Sequence, residues 1–328
     1  MGRRSNDQDR SARRILLVAL AILTASTLTS AASRPEQYAA PAAIPGLSRP
    51  TLATHYQAVR KDIGDALATA RKLGDGERVR VLSAFLGSGR RFLAFDARGD
   101  GRAVEVHGDL ARAGRIAVVV PGADNELDNY DSWKFAGGGA KALYDQMRAD
   151  VPGERVAVIA WLGYDSPSTL SPVILTGGRA GSAARGLRRF LDELHGVNPA
   201  ARYSLLAHSY GSVVAGKAAA KGGLAVDEIA LFGSPGTSLG SVADMRTHAR
   251  VWAGRSTGDW TEYVPKVEFA GLGFGEDPTN PRFGALRFDA GDGTHSEYLK
   301  PGSSSLRNLA LIALGHDSEV GHARHEDA

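Results

Sequence analysis

The chain of 328 residues contains no cysteine. That absence excludes disulfides, thiolate metal sites and a cysteine nucleophile together, and it leaves the compartment open. Fold stability must then come from packing, and covalent catalysis from Ser, Thr, Asp, Glu or Lys. A large charge of one sign is also missing. The net charge is only +3 with a pI near 9.1, and much of the basic excess lies at Arg3, Arg4, Arg10, Arg13 and Arg14. No basic stripe with interleaved aromatics appears later, so a nucleic-acid partner is excluded. The longest apolar run near the N-terminus, Ile15–Leu28, is shorter than the roughly 20 residues that span a bilayer.

That run has another reading. A basic stretch, a short apolar core and small residues at Thr29–Ser33 describe a secretory signal peptide over residues 1–33. Ser30 and Ala32 suit the positions just before a cleavage site. Arg13-Arg14-Ile15-Leu16-Leu17 also resembles a twin-arginine signal, although Ala12 stands where a polar residue is usual. With no cysteine at the cleavage region, a lipoprotein anchor is excluded. The expected location is therefore secreted or cell envelope. The membrane is met only in transit through this segment, or through the same segment kept as an uncleaved anchor.

Apolar types make up 43 % of the chain, enough for a full core. Residues 34–50, rich in Ala and Pro, read as a linker. Thr51–Leu73 repeats apolar residues at three- and four-residue steps, and Glu77–Leu86 reads as a second helix. Together, residues 51–88 are expected to form an N-terminal helical appendage packed on the main domain. Phe92–Asp96 and Arg102–His107 flank Arg98-Gly99-Asp100-Gly101, a hairpin turn rather than an adhesion motif. Strand-like runs follow at Ile116–Val120, Val156–Trp161, Tyr203–Ala207, Ile229–Phe232, Val251–Ala253 and Leu286–Asp289. Ile116–Val120 does not alternate, as expected of a strand buried on both faces. Helical stretches lie between most of the runs: Phe135–Arg148, Arg179–Leu194 and Ser212–Lys221, with Leu306–Leu314 closing the domain. This alternation predicts an α/β fold over residues 89–315, a mostly parallel sheet with helices on both faces, opened by an antiparallel hairpin. The charged tail 316–328 is expected to be flexible. Its His316, His322 and His325 read as solvated rather than as a metal site.

Chemistry concentrates in Ala207-His208-Ser209-Tyr210-Gly211. A serine on a sharp strand-to-helix turn needs small residues two before and two after it. Ala207 and Gly211 meet that need, with Ala207 in place of the usual glycine. Charge developing on a carbonyl oxygen then needs preorganised N–H donors. The backbone N–H groups of Tyr210 and of Ala123, in Val119-Val120-Pro121-Gly122-Ala123, are the candidates for that oxyanion hole. An acid and a base must follow in the order Ser, Asp, His. Asp259 is the first carboxylate beyond the Val251–Ala253 strand. Of the nine histidines, His295 alone falls in the loop after Leu286–Asp289 where a base is needed. Asp165, Asp244 and Asp277 are rival acids, and the bland role for Asp259 is a helix cap. His208 reads as a packing or oxyanion-side residue. Trp161, Tyr164, Trp260, Tyr263, Phe274 and Phe283 come from strand-end loops and either surround the serine or belong to the core.

With these residues assembled, the chain resembles the actinobacterial α/β-hydrolase domain family long catalogued as of unknown function. The resemblance spans about residues 90–315. It rests on the Val-Pro-Gly loop, Trp161-Leu162-Gly163-Tyr164-Asp165-Ser166-Pro167, Ala207–Ser212, Phe232-Gly233-Ser234-Pro235-Gly236, Asp259-Trp260 and His295-Ser296-Glu297-Tyr298. It implies an α/β-hydrolase fold and a serine-hydrolase triad of Ser209, Asp259 and His295. The expected activity is an exported esterase or lipase-like enzyme acting on a small-molecule or lipid acyl ester, with no metal or organic cofactor. A cell-envelope acyltransferase using the same triad, and a non-catalytic hydrolase fold that binds a lipid or partner, are the alternatives.

Overall fold

Buried β-branched runs and amphipathic helices alternate along the chain, and each kind of segment takes the form its pattern demands. The computed structural model describes residues 37–44, 46–169, 177–264, 268–269 and 272–323. The expected signal segment 1–33, the start of the expected linker, and His325 with the rest of the C-terminal end lie outside them.

The first helix, α1 (Leu52–Leu73), buries Val59, Ile63, Leu67 and Ala70 along one face and ends at Gly74 in the left-handed conformation. Helix α2 (Gly76–Phe85) is capped by the Asp75 carboxylate, which accepts from the Arg78 N–H at 3.0 Å. The strands are β1 (Phe92–Asp96), β2 (Arg102–Gly108), β3 (Arg115–Val120), β4 (Val156–Leu162), β5 (Arg202–His208), β6 (Glu228–Phe232) and β7 (Arg250–Gly254). Two-residue strands follow: β8 (Glu268–Phe269) pairs with β9 (Leu272–Gly273), and β10 (Leu286–Arg287) joins the main sheet. Helices α3 (Ala136–Asp150), α4 (Gly177–Val197), α5 (Tyr210–Ala219) and α6 (Ser304–Leu314) cover the faces.

The main sheet runs β1-β2-β4-β3-β5-β6-β7-β10. Strands β1 and β2 are antiparallel to each other, and β2 is antiparallel to β4. Every other pair is parallel, for example Val118 opposite Leu205 across β3 and β5. From β3 the chain winds outward to β4, then returns to β5 on the other side. That reversal makes the carboxyl ends of β3 and β5 the place where an open α/β sheet forms a crevice.

Two expectations about the flanks change. Helices α1 and α2 pack on the main domain. Their Val59, Ile63, Leu82 and Phe85 share one buried cluster with Phe92, Phe95 and Tyr130 of the sheet and its loops, and burying each large apolar side chain contributes about 1.5–3 kcal/mol. They pack at the β1 edge, away from β5. The expected linker is likewise held from Tyr38 onward, with Leu47 buried and the Tyr38 hydroxyl donating to Asp75 at 3.3 Å. The expected flexible tail is fixed as far as residue 323. Val320 is buried, Phe288 pairs with His322 in an antiparallel bridge, and the Asp289 N–H donates to the Gly321 carbonyl at 2.7 Å. Asn308 of α6 completes the joint, donating to the Asp289 carbonyl at 2.7 Å and accepting from the Gly321 N–H at 2.9 Å. Arg250 ion-pairs with Asp317. The run Leu286–Asp289 accordingly registers with β7 at Leu286 and Arg287, the Phe288 N–H still donates to the Ala253 carbonyl at 3.1 Å, and Phe288 and Asp289 also pair with this segment.

Candidate active site

Strand β5 ends at His208 and α5 begins at Tyr210, so Ser209 must reverse the chain in a single residue. It does so with φ 52° and ψ −125°, a strained backbone for a side-chain-bearing residue that persists only where the surroundings over-determine it. The Ser209 N–H donates to the Phe232 carbonyl at 3.0 Å, and the Ser209 carbonyl accepts from the Ser212 N–H at 2.9 Å. The requirement for small neighbours is sharp on one side only. A Cβ at Gly211 would meet the Val120 and Pro121 carbonyl oxygens at 2.6 and 2.7 Å. Ala207 is fully buried in β5, and its methyl group is accommodated.

The three residues expected to act together are brought together. Ser209 Oγ lies 2.8 Å from His295 Nε2, and His295 Nδ1 lies 2.9 and 3.0 Å from the two Asp259 carboxylate oxygens. Because Nδ1 faces only carboxylate oxygens, it carries the proton, and Nε2 is free to accept from the serine hydroxyl. Asp259 is 2 % exposed and Ser209 7 %. Burial by itself would raise the Asp259 pKa. The hydrogen bond and charge of His295, the Tyr298 hydroxyl and the Thr261 N–H outweigh it and hold the carboxyl well below the usual range. Asp259 is also a cap, as its bland role required. It accepts from the Thr261 N–H at 2.8 Å, at the start of the one-turn helix Trp260–Tyr263.

The rival acids sit elsewhere. Asp165 pairs with Arg179, Asp277 with Arg255, and Asp244 accepts from the Ser241 hydroxyl at 2.8 Å.

The loop after β3 runs directly against the serine. A Cβ at Gly122 would stand 2.6 Å from Ser209 Cβ and 3.1 Å from Oγ, so only glycine fits there. The N–H groups of Ala123 and Tyr210 donate no hydrogen bond among the described residues. The carbonyls of this loop, by contrast, are pinned. Tyr164 donates to Pro121 O at 2.7 Å and Gly122 O at 3.1 Å, Ser166 to Gly122 O at 2.9 Å, and Asn125 to Ala123 O at 3.0 Å. Asn125 also accepts from the Ala136 N–H at 2.9 Å, tying the loop to the start of α3.

His208 is a packing residue on the base side, away from the Ala123 loop. Its ring stacks on Phe232 at 5.2 Å, lies 4.9 Å from the His295 ring, and sets Nε2 2.8 Å from the His295 carbonyl oxygen. Burial, then the neighbouring His295, pushes its pKa down to about 3. It is therefore neutral, and its Nε2–H donates to that carbonyl. Sequence reasoning gave Tyr298 no role. Its hydroxyl lies 2.5 Å from Asp259 Oδ2, and only its place three residues after His295 hinted at this.

The aromatic residues divide. Trp161, Tyr164, Phe274 and Phe283 are core. Trp260 is 47 % exposed with its ring 4.7 Å from that of His295, and Tyr263 is 82 % exposed. Of the six, Trp260 presents exposed aromatic surface beside His295.

Comparison with known proteins agrees with this architecture. An uncharacterized protein of Mycobacterium tuberculosis is 32 % identical over 274 residues, covering 70 % of this chain and 40 % of its own length. The chain thus spans well under half of that relative. A second uncharacterized protein, from Mycobacterium bovis, is 37 % identical over 183 residues, covering 53 % of this chain and 66 % of its own. Among solved structures, a lidless α/β serine hydrolase from Xanthomonas campestris is 14 % identical, with a TM-score of 0.41 over 73 % of this chain and 98 % of that one. Esterase PE8 is 16 % identical, with a TM-score of 0.42 over 64 % of this chain and 96 % of that one. The alpha/beta hydrolase family model matches residues 96–269, more than half of the chain. By that match, on the parallel sheet and strand-to-helix serine already described, the chain belongs to the alpha/beta hydrolase family.

Proposed function

We propose that the protein is an exported serine hydrolase that cleaves acyl esters through an acyl-enzyme. The observation that carries this reading is the unbroken chain from Ser209 Oγ through His295 to a buried Asp259, with a strained serine at the head of α5. In this reading Ser209 attacks the acyl carbon while His295 Nε2 takes its proton, and Asp259 holds the imidazole and balances its charge. The Ala123 and Tyr210 N–H groups meet the developing oxyanion. The same imidazolium then protonates the departing alkoxide, and a water activated by His295 releases the acid. Trp260, half exposed beside His295, borders the side on which the leaving alcohol departs. The basic, apolar and small-residue order of residues 1–33 supports export.

The test is labelling of the purified protein with a fluorophosphonate probe beside Ser209→Ala, Asp259→Asn and His295→Ala. Strong labelling of the wild type, abolished in Ser209→Ala and slowed by at least about a thousandfold in the other two, is expected. A well-folded wild type that takes no label overturns the reading in favour of a non-catalytic binding fold. Product analysis on an activated ester, with and without an alcohol acceptor, separates hydrolysis from acyl transfer; free acid as the main product in both is the expected result.

A further inference from the structure

Four groups, rather than three, form one continuous hydrogen-bond chain behind the serine. Asp259 Oδ2 accepts from Tyr298 at 2.5 Å, and the Tyr298 hydroxyl in turn accepts from the Ser256 N–H at 3.0 Å. That second bond fixes the direction of the first. With a backbone N–H occupying its lone pair, the hydroxyl points its own proton at the carboxylate. The Ser256 hydroxyl does not compete, since it is 2.5 Å from the Gly293 carbonyl and 3.4 Å from the tyrosine oxygen. Burial and the charge of Asp259 both raise the Tyr298 pKa, so the phenol stays protonated.

The ring is locked as well. It packs against Phe232 at 5.5 Å and His208 at 5.6 Å. Gly233, at φ 55°, leaves it room, because a Cβ there would stand 2.8 Å from the Tyr298 ring and 2.9 Å from Asp259 Oδ2. The chain also bridges two loops. Tyr298 and His295 belong to the segment after β10, whereas Asp259 and Ser256 belong to the segment after β7. Gly258 and Thr294 pair between the two segments in a parallel bridge.

We infer that Tyr298 is a positioning residue of the reaction, its hydroxyl holding the Asp259 carboxylate in the plane that orients His295. The inference rests on the triad reading above. The carboxylate has three donors: His295 Nδ1–H shared by both oxygens, the Thr261 N–H on Oδ1 and Tyr298 on Oδ2. Removing Tyr298 frees Oδ2 to turn, and concentrates the carboxylate charge on His295. The imidazole then loses its fixed line to Ser209 and gains affinity for a proton.

The experiment measures fluorophosphonate labelling rate against pH for the wild type, Tyr298→Phe, Asp259→Asn and the double variant, with melting temperature followed beside each. Label on wild-type Ser209 and none on Ser209→Ala establishes first that the triad works, so a failure there is distinct from a failure of this proposal. Tyr298→Phe keeps the ring and its packing. Its labelling at neutral pH should slow by about ten- to a hundredfold, the worth of one hydrogen bond to a charged group. In the Asp259→Asn background the same change should slow labelling by less than about threefold, because its route of action has gone. A Tyr298→Phe labelling rate equal to that of the wild type overturns the inference. So does an equal slowing in both backgrounds, which marks a merely structural tyrosine.

Discussion

Two loops converge on Ser209 and are held there by different physics. The loop after β3, with Gly122 and Ala123, is fixed through its carbonyl oxygens by the neutral, buried donors Tyr164, Ser166 and Asn125. Among the described residues the Ala123 N–H is left without an acceptor, as the proposed oxyanion role requires. The segment after β10, with His295, is held by groups that carry or exchange protons: Asp259, Tyr298 and His208, together with Glu297. Hydrogen bonds from Thr294 and Lys300 push the partly exposed Glu297 down to about 2 and close the Thr294–Glu297 turn that carries His295. One side of the site is held by neutral groups and the other mainly by ionisable ones.

The comparison can be broken at several points. The largest effect is expected from Gly122→Ala, whose new methyl would overlap Ser209. Labelling should fall by about 10²–10³, as for loss of an oxyanion donor, while circular dichroism stays native. Next is Tyr164→Phe, which removes both hydroxyl bonds to the loop. It should slow labelling about tenfold by the same factor at every pH, and lower urea stability by about 1–3 kcal/mol for carbonyls left short of a donor.

His208 tests the opposite side. Its folded pKa of about 3 lies below the 6.5 of a free imidazole, so the unfolded chain binds the extra proton first. Its contribution is fully present above about pH 6.5 and is lost as pH falls from there towards 3. Between pH 6.5 and 5 this should remove about 2 kcal/mol of stability. His208→Gln should lose that part of the acid sensitivity in urea titrations, whereas Tyr164→Phe should retain it. The smallest effect is expected at Trp260→Ala. Hydrolysis of esters with bulky apolar alcohols should show a KM raised about three- to tenfold, with ethyl esters and the labelling rate little changed.

The two sides also differ in how far they could be read from residues alone. Pro121-Gly122-Ala123 announces itself by following a buried β-branched strand, and the serine by its small neighbours. Asp259 and His295 followed from chain order. Their supports were fainter, since Tyr298 is marked only by its place three residues after His295 and His208 only by its place beside the serine. Each acquires its role only when β5, β7 and the segment after β10 are packed side by side. The same limit explains the flanks. The period of α1 showed that it is a helix and which face is apolar. Where on the main domain that face lands is a tertiary matter, and its Val59 and Ile63 share one buried cluster with Phe92 and Phe95 of β1. The charged residues after Gly315 read as solvated, yet Val320 and the Gly321 backbone dock on the last strand.

That docking bears on self-association. A parallel sheet ending in a two-residue strand would leave the backbone beyond Arg287 open to a strand from another molecule, the common route to edge-to-edge aggregation. Here Gly321 and His322 pair with that backbone, and Asn308 holds them in place. The segment acts as a built-in chain terminator for the sheet. A protein cut after Gly315 should therefore keep its serine chemistry when dilute and lose colloidal stability when concentrated, forming oligomers that light scattering detects.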